Sequence, residues 1–306
     1  MNLKEIEIFK GLPDKALKNI SNIIKERKIT KDTIIFEEAT PADVFCLIAG
    51  GKVEVFKRLT GEEIKILAIL TEGDYFGEMS LFESKPRMAS VKAIEDVTLL
   101  EIKKKDFLDL LSDNLNAGMK LLSSIMSTTL NRLSATNSHL ALLYDTGKII
   151  ASSRNLKQMT MDTFLKVSKH FKKANKGLIA IYNEFTDEFD IHSSIDIEPP
   201  IDILLKTDPF VIKIASDKEI IINEEKDFKN NFISGKSIIV SAFYFEEKFL
   251  GFVLFASKQC NAFDMNDLIL LSSVASLISV SIKNISFISE EEARKRLEET
   301  RYKQSF

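Results

Sequence analysis

The sequence predicts a mixed α/β chain: a small N-terminal sandwich or barrel of short strands, a long connecting helix, and a C-terminal α+β domain with an antiparallel sheet. Three observations carry this. Val53 and Val55 alternate with Lys52, Glu54 and Lys57, and Ile64, Ile66 and Ala68 alternate with Glu63 and Lys65. A period of two marks half-buried strands, and several such strands between regular turns mark a sandwich or barrel. Around Asp106 the period changes. Leu115, Met119, Leu122, Met126, Thr129, Leu133, Thr136, Leu140 and Leu143 follow steps of four and three, a heptad-like seam on one long helix. From about residue 155 helical and strand patterns are mixed. The boundaries read as 1–112 for the barrel with flanking helices, 113–150 for the connecting helix, 151–288 for the C-terminal domain and 289–306 for a charged C-terminal helix.

In chain order, a helix is expected from Pro13 to Glu26, with Leu17, Ile20, Ile23 and Ile24 on one face. Turns follow at Ala49 to Gly51, Leu59 to Glu62 and Glu72 to Asp74. The long helix should stop near Asp145 to Gly147. A helix from Asp162 to Ala174 should then lead into a strand at Gly177 to Tyr182, followed by a shorter strand from Glu188 to His192. Pro199 and Pro200 should open a short helical piece, and Glu219 to Ile222 reads as a strand. Ser237 to Tyr244 and Phe249 to Ala256 should form a hairpin across Glu246 to Lys248. Asp264, with Asp267 three residues on, caps the last long helix.

Composition sets the class. The 306 residues are 45% hydrophobic and 28% charged, which fits two globular domains rather than disorder. A formal net charge of −3 gives no global pull toward nucleic acid or an anionic membrane. Cys46 and Cys260 lie far apart without a CxxC pattern, as expected for buried free thiols in a reducing, cytoplasmic compartment. The N-terminus lacks a basic start, an apolar run and a cleavage site, so no secretory signal is expected. Leu268 to Ile282 is uncharged but short for a membrane span and holds five serines, so it reads as a buried soluble helix. His139, His170 and His192 have no metal-ligand spacing and read as helix-face or sheet-surface residues.

The informative stretch runs from Glu72 to Lys92. Gly73 and Gly77 permit tight turns and close approach of a ligand to backbone. A short helix beginning near Gly77 would aim the amides of Met79 and Ser80 outward, a favourable place for a phosphate. Arg87, expected on the strand after Pro86, can pair with a phosphate through two parallel hydrogen bonds. Ionised Glu78 only accepts, so it suits sugar hydroxyls. Small Ala89 and Ser90 leave room beside the arginine. On spacing alone, a surface turn in which Glu78 and Arg87 merely pair with each other reads equally well.

Resemblance separates the two readings. Phe76, Gly77, Glu78 and Leu81, followed by Pro86, Arg87, Ala89, Ser90 and Val91, resemble the phosphate-binding cassette of the cyclic-nucleotide-binding domain family, which includes the cAMP-dependent kinase regulatory subunits and bacterial cAMP receptor proteins. Ile8 to Asp14, Ile48 to Val55 and Asp96 to Ile102 resemble the family's opening helix, sheet turn and last strand. The resemblance implies a jelly-roll barrel. It assigns the ribose 2′-hydroxyl to Glu78, the cyclic phosphate to Arg87 and an amide cradle to Gly77, Met79, Met88 and Ala89, with Phe76, Ser80 and Ser90 around them. A glycine usual in the family is replaced within Glu37 to Asp43. Met88 stands where relatives preferring cGMP often have Thr and bacterial cAMP receptors have Ser. It offers no hydroxyl to the guanine amino group, so cAMP is expected over cGMP.

The segment from about 155 to 288 is similar to a GAF domain, through Gly251 to Phe255 and Phe263 to Leu271. Such folds hold cyclic nucleotides, tetrapyrroles, haem or no ligand. Cys260 could anchor a tetrapyrrole, but a free cysteine is ordinarily a buried hydrophobe. The heptad-like helix either packs on its own barrel or pairs with a second copy, and its length favours a homodimer. The expectation is a non-enzymatic sensor acting on an unknown output protein, with no direct nucleic-acid or membrane contact. The alternative is the sensory part of a histidine kinase or nucleotide cyclase system. No Gly-rich phosphate loop, paired metal carboxylates or helix-turn-helix pattern follows the barrel.

Overall fold

A computed structural model describes residues 3, 6–59, 64–82, 85–113, 115–197 and 201–304. The chain divides into two compact units, residues 1–135 and 136–306.

The first unit opens with α1 (Asp14–Ile23) and continues through β1 (Lys25–Ile29), β2 (Ile34–Phe36), β3 (Val44–Gly50), β4 (Val53–Arg58), β5 (Ile64–Leu70), β6 (Tyr75–Phe76), α2 (Met79–Phe82), β7 (Ser90–Ala93), β8 (Val97–Lys103) and α3 (Lys104–Asp113). Two four-stranded antiparallel sheets form, ordered β1-β8-β3-β6 and β2-β7-β4-β5. The alternation along β3 builds both cores. Cys46 and Ile48 face the second sheet with Val53, Val91 and Leu99. Phe45 and Leu47 face the helices with Ile20, Tyr75, Phe107, Leu121 and Ile125. The helix expected to reach Glu26 ends at Ile23, because Ile24 turns to φ −70, ψ 135 and the next five residues pair with Val97 to Glu101 of β8. That long-range pairing overrides the local period. Of the turn expected at Leu59 to Glu62, residues 60–62 lie outside the described residues.

The long helix α4 (Leu115–Ser152) does not stop at Asp145 to Gly147 but runs five residues further. It packs on the first unit's core through Ala117, Leu121 and Ile125, not through the seam. Leu115, Met119, Met126, Leu133 and Leu140 are all more than half exposed.

The second unit contains α5 (Leu156–Ser168), β9 (Lys176–Asn183), β10 (Glu188–Ile195), β11 (Ile203–Leu205), α6 (Pro209–Asp217), β12 (Glu219–Lys229), β13 (Ser234–Phe245), β14 (Lys248–Ser257) and α7 (Met265–Gln304). One six-stranded antiparallel sheet is ordered β11-β10-β9-β14-β13-β12. Its central strands are buried on both faces, which explains their unbroken apolar runs. Ile179, Ile239, Val253 and Phe255 meet α5 and α7 residues, while Leu178, Val240, Phe252 and Leu254 meet α6 residues. Helix α5 begins six residues before the expected Asp162, since Asn155 caps it by accepting from the Gln158 amide. Strand β10 reaches Ile195 rather than His192. Pro199 and Pro200 lie outside the described residues; the helix of this region, α6, opens at Pro209 under an Asp208 cap. Strand β12 extends past Ile222 to Lys229. Asp264 and Asp267 cap α7 reciprocally, Asp264 accepting from the Asp267 amide and Asp267 from the Asp264 amide. Met265–Phe287 of α7 is long and apolar enough to cross a membrane by length and composition, and half of that window is buried against the protein.

Candidate functional site

The site grows from the turn before β6. The Thr71 amide donates to Asp74 Oδ2 at 3.0 Å, while the Gly73 amide and Asp74 carbonyl exchange bonds with Ile48 of β3, each 2.9 Å. This turn is therefore fixed to the sheet. Tyr75 and Phe76 then pair with Leu47 and Cys46. Gly77 takes φ +81 and turns the chain into α2, whose first bond runs from the Leu81 amide to the Glu78 carbonyl at 3.0 Å.

Arg87 is not on a strand, as expected, but three residues before β7. Its backbone is held on both sides, the amide donating to the Thr40 carbonyl and the carbonyl accepting from Ala39, both at 2.8 Å. The side chain is 8% exposed. Nη2 donates to the Val44 carbonyl at 2.8 Å, and Cζ stands 3.6 Å from the centre of the Phe36 ring. Nε is buried without a hydrogen-bond partner among the described residues. Burial pushes the Arg87 pKa down, and the fields of Cys46, Asp43 and Glu78 oppose the shift. A buried guanidinium with an unmatched donor is costly, and an anionic acceptor relieves that cost.

Arg87 and Glu78 line one cavity of about 240 Å³ together with Phe76, Gly77, Met79, Met88 and Ala89. Seven of the nine sequence-predicted residues thus meet. Ser90 does not line it, because its buried hydroxyl accepts from the Glu38 amide at 3.0 Å. Ser80 lies in α2, and its side chain is outside the described residues.

Several lining residues were not anticipated, Phe36 and Arg132 among them. Phe36 forms the face beneath Arg87, and Arg132 comes from α4. Arg132 donates to the Tyr75 carbonyl at 2.9 Å and to Asp74 Oδ1 at 3.2 Å, with Cζ 4.7 Å from the Tyr75 ring centre. The sequence carries one signal for it: Arg132 is the lone Lys or Arg between Leu121 and Gly147. Val55, Ala68, Leu70 and Val91 add apolar wall, and Lys85 adds a further cation to the lining. The cavity therefore offers a buried cation, a carboxylate acceptor and an apolar wall.

Elsewhere, Cys46 is fully buried and its thiol is pushed up to about 12 by burial, which makes it inert. Cys260 is exposed rather than buried as expected. His139 and His170 meet ring to ring at 5.3 Å, and His192 Nδ1 lies 2.6 Å from the Thr160 hydroxyl. No group of three or more His, Cys, Asp or Glu is placed to hold a metal among the described residues.

Residues 26–114 match the family model of the cyclic nucleotide-binding domain. The chain is 33% identical over 109 residues to the cAMP-dependent protein kinase regulatory subunit of Candida albicans, covering 36% of this chain and 23% of that one. It is 32% identical over 109 residues to the cyclic AMP receptor protein of Thermus thermophilus, covering 36% of this chain and 50% of that one. The chain thus spans half or less of the length of these curated relatives. The crystal structure of the Thermus thermophilus catabolite activator protein aligns with 50% of this chain and 70% of its own, at 25% identity and a TM-score of 0.41.

Proposed function

We propose that the chain is a non-enzymatic cytoplasmic sensor that binds a cyclic nucleotide in the cavity of its first unit, cAMP in preference to cGMP. One observation carries the reading: Arg87, buried and charged, holds an unmatched Nε and lines one cavity with Gly77 and Glu78. A cyclic phosphate supplies the acceptor, the ribose hydroxyl meets Glu78, and the base lies along Val55, Ala68 and Leu70. The preference for cAMP rests on Met88, which lines the cavity and has no hydroxyl to offer the guanine amino group.

The second unit acts as a GAF-like domain in this reading. Gly251 at φ +145, where a Cβ would stand 2.2 Å from the Ala180 carbonyl, and the Asp264 cap that opens α7 both support the likeness. The exposed stripe of α4 supports a homodimer. The relay runs along α4 to the second unit, whose 40-residue α7 suits transfer to a separate output protein, including one of histidine kinase or nucleotide cyclase type.

Isothermal titration with cAMP and cGMP tests the reading. The wild type binds both, cAMP more tightly. Arg87→Ala and Glu78→Gln each weaken binding, the first by on the order of a hundredfold, since it removes a charge-assisted contact to a desolvated anion. Absence of wild-type binding at millimolar ligand overturns it.

A further inference from the structure

We propose that Arg132 is a positioning residue: with Tyr75 it forms a two-point tie through which occupancy of the cavity is coupled to α4. This rests on the cyclic-nucleotide reading of the cavity.

The argument begins with Tyr75. Its ring is 1% exposed and stands in the core shared by the first unit's strands and helices. Its hydroxyl donates to the Ile125 carbonyl of α4 at 3.0 Å. Seven residues along the same helix, Arg132 reaches back and donates to the carbonyl of the same tyrosine at 2.9 Å. Seven residues are two helical turns, so both contacts issue from one face of α4. The guanidinium also lies over the Tyr75 ring and pairs with Asp74. A single residue is thus gripped by α4 at its hydroxyl, its ring and its backbone.

What Tyr75 is attached to gives the grip its consequence. On one side, Asp74 belongs to the turn bonded to Thr71 and Ile48. On the other, Phe76, Gly77 and Glu78 follow directly and line the cavity. Any displacement of the ribose- and phosphate-binding segment is passed to a two-residue strand, and from there to α4 at two points. Tyr75 donates at Ile125, whose carbonyl also accepts from the Thr129 hydroxyl at 2.9 Å. Arg132 is partly solvent-exposed, yet three of its contacts fall on two consecutive residues. By linkage, a helix that holds the segment in its binding geometry tightens ligand binding, and bound ligand tightens the helix by the same factor. Arg132 also lines the cavity, but its hold on Asp74 and Tyr75 acts equally for any base, whereas a direct contact with the base would not.

The test uses the 306-residue chain, with hydrogen exchange of the backbone and titration read together. Wild type with saturating cAMP shows slower exchange both at residues 75–82 and at 126–135 of α4. In Arg132→Met, which keeps the length of the side chain, cAMP and cGMP both bind about tenfold more weakly, by the same factor, and the slowing at 126–135 is lost while that at 75–82 persists. Arg132→Lys restores part of both effects. Tyr75→Phe removes only the hydroxyl and reduces the α4 response while leaving the core packed, so the proposal is tested even if the first variant is unstable. If Arg132→Met keeps the full α4 response, or if its loss of affinity is confined to one base, the tie is overturned, and the cyclic-nucleotide reading stands. If the wild type binds neither nucleotide, that reading itself has failed.

Discussion

At Gly77 the backbone presses on the Arg87 side chain: an added Cβ would stand 2.5 Å from Nη1 and 2.9 Å from the Val44 carbonyl, at a φ of +81. Gly73 has a similar φ of +88 but nothing within 4 Å of such a Cβ. The pair separates backbone strain from steric displacement. Gly77→Ala is expected to cost about 1–3 kcal/mol in urea unfolding and to abolish measurable cAMP binding, because the guanidinium must move. Gly73→Ala should cost about 1 kcal/mol and leave binding nearly intact. Ala39 occupies φ +64 in the segment where the family's usual glycine is replaced, and its amide still reaches the Arg87 carbonyl. At this scale Glu78 and Arg87 were legible, since glycines, a carboxylate and an arginine fall within one short run. Phe36 and Arg132 were not, because only strand pairing and helix docking bring positions so far apart in sequence to one wall.

Helix α4 presents two faces with different fates. Ala117, Leu121 and Ile125 are covered, while Leu115, Met119, Met126 and Leu133 are exposed in steps of four or seven. Periodicity in the sequence announced the helix but favoured the outer stripe, whose side chains are larger. The buried face is set by Ala117 and its neighbours, small enough for close approach to the core. Element ends were likewise misjudged where the deciding contact is distant, as at Ile24, or is a cap outside the apolar pattern, as at Asn155. The exposed stripe yields a direct expectation. By sedimentation velocity the wild type runs as a dimer, and Met119→Lys with Met126→Lys runs as a monomer, because two charges per copy would be buried against each other. Thermal unfolding of the double variant should change little beyond the loss of association, as neither side chain is in the core.

Over the whole molecule, the two units differ in their response to acid. All three histidines lie in the second unit, and burial lowers the pKa of each, with His139 and His170 also facing one another. Their neutral forms are favoured in the fold, so the unfolded chain binds protons more readily as pH falls through the ordinary histidine range, and stability is lost. Asp267 has the opposite sign: burial raises its pKa, so the fold gains as that carboxyl takes up its proton. Asp145, Glu184 and Asp187 have lowered pKa values and titrate below the histidine window. Differential scanning calorimetry between pH 7.5 and 6 should therefore show the second unit's transition falling while the first unit's stays nearly constant. The two-part plan was readable from the shift between periods of two and of three to four. The sheet order was not, because an apolar run shows that a strand is buried without naming its neighbour. In the second unit that neighbour is far away. The hairpins β9–β10, β12–β13 and β13–β14 are local, but the seam between β9 and β14 joins positions 176–181 to 251–256. Closing it carries the largest loop entropy in the sheet and comes last. Until then two half-sheets each present an unpaired apolar edge, the kind that recruits another chain as readily as its own partner. Recovery of this half of the protein from denaturant thus depends on dilution, since one chain's closure competes with two chains' collision.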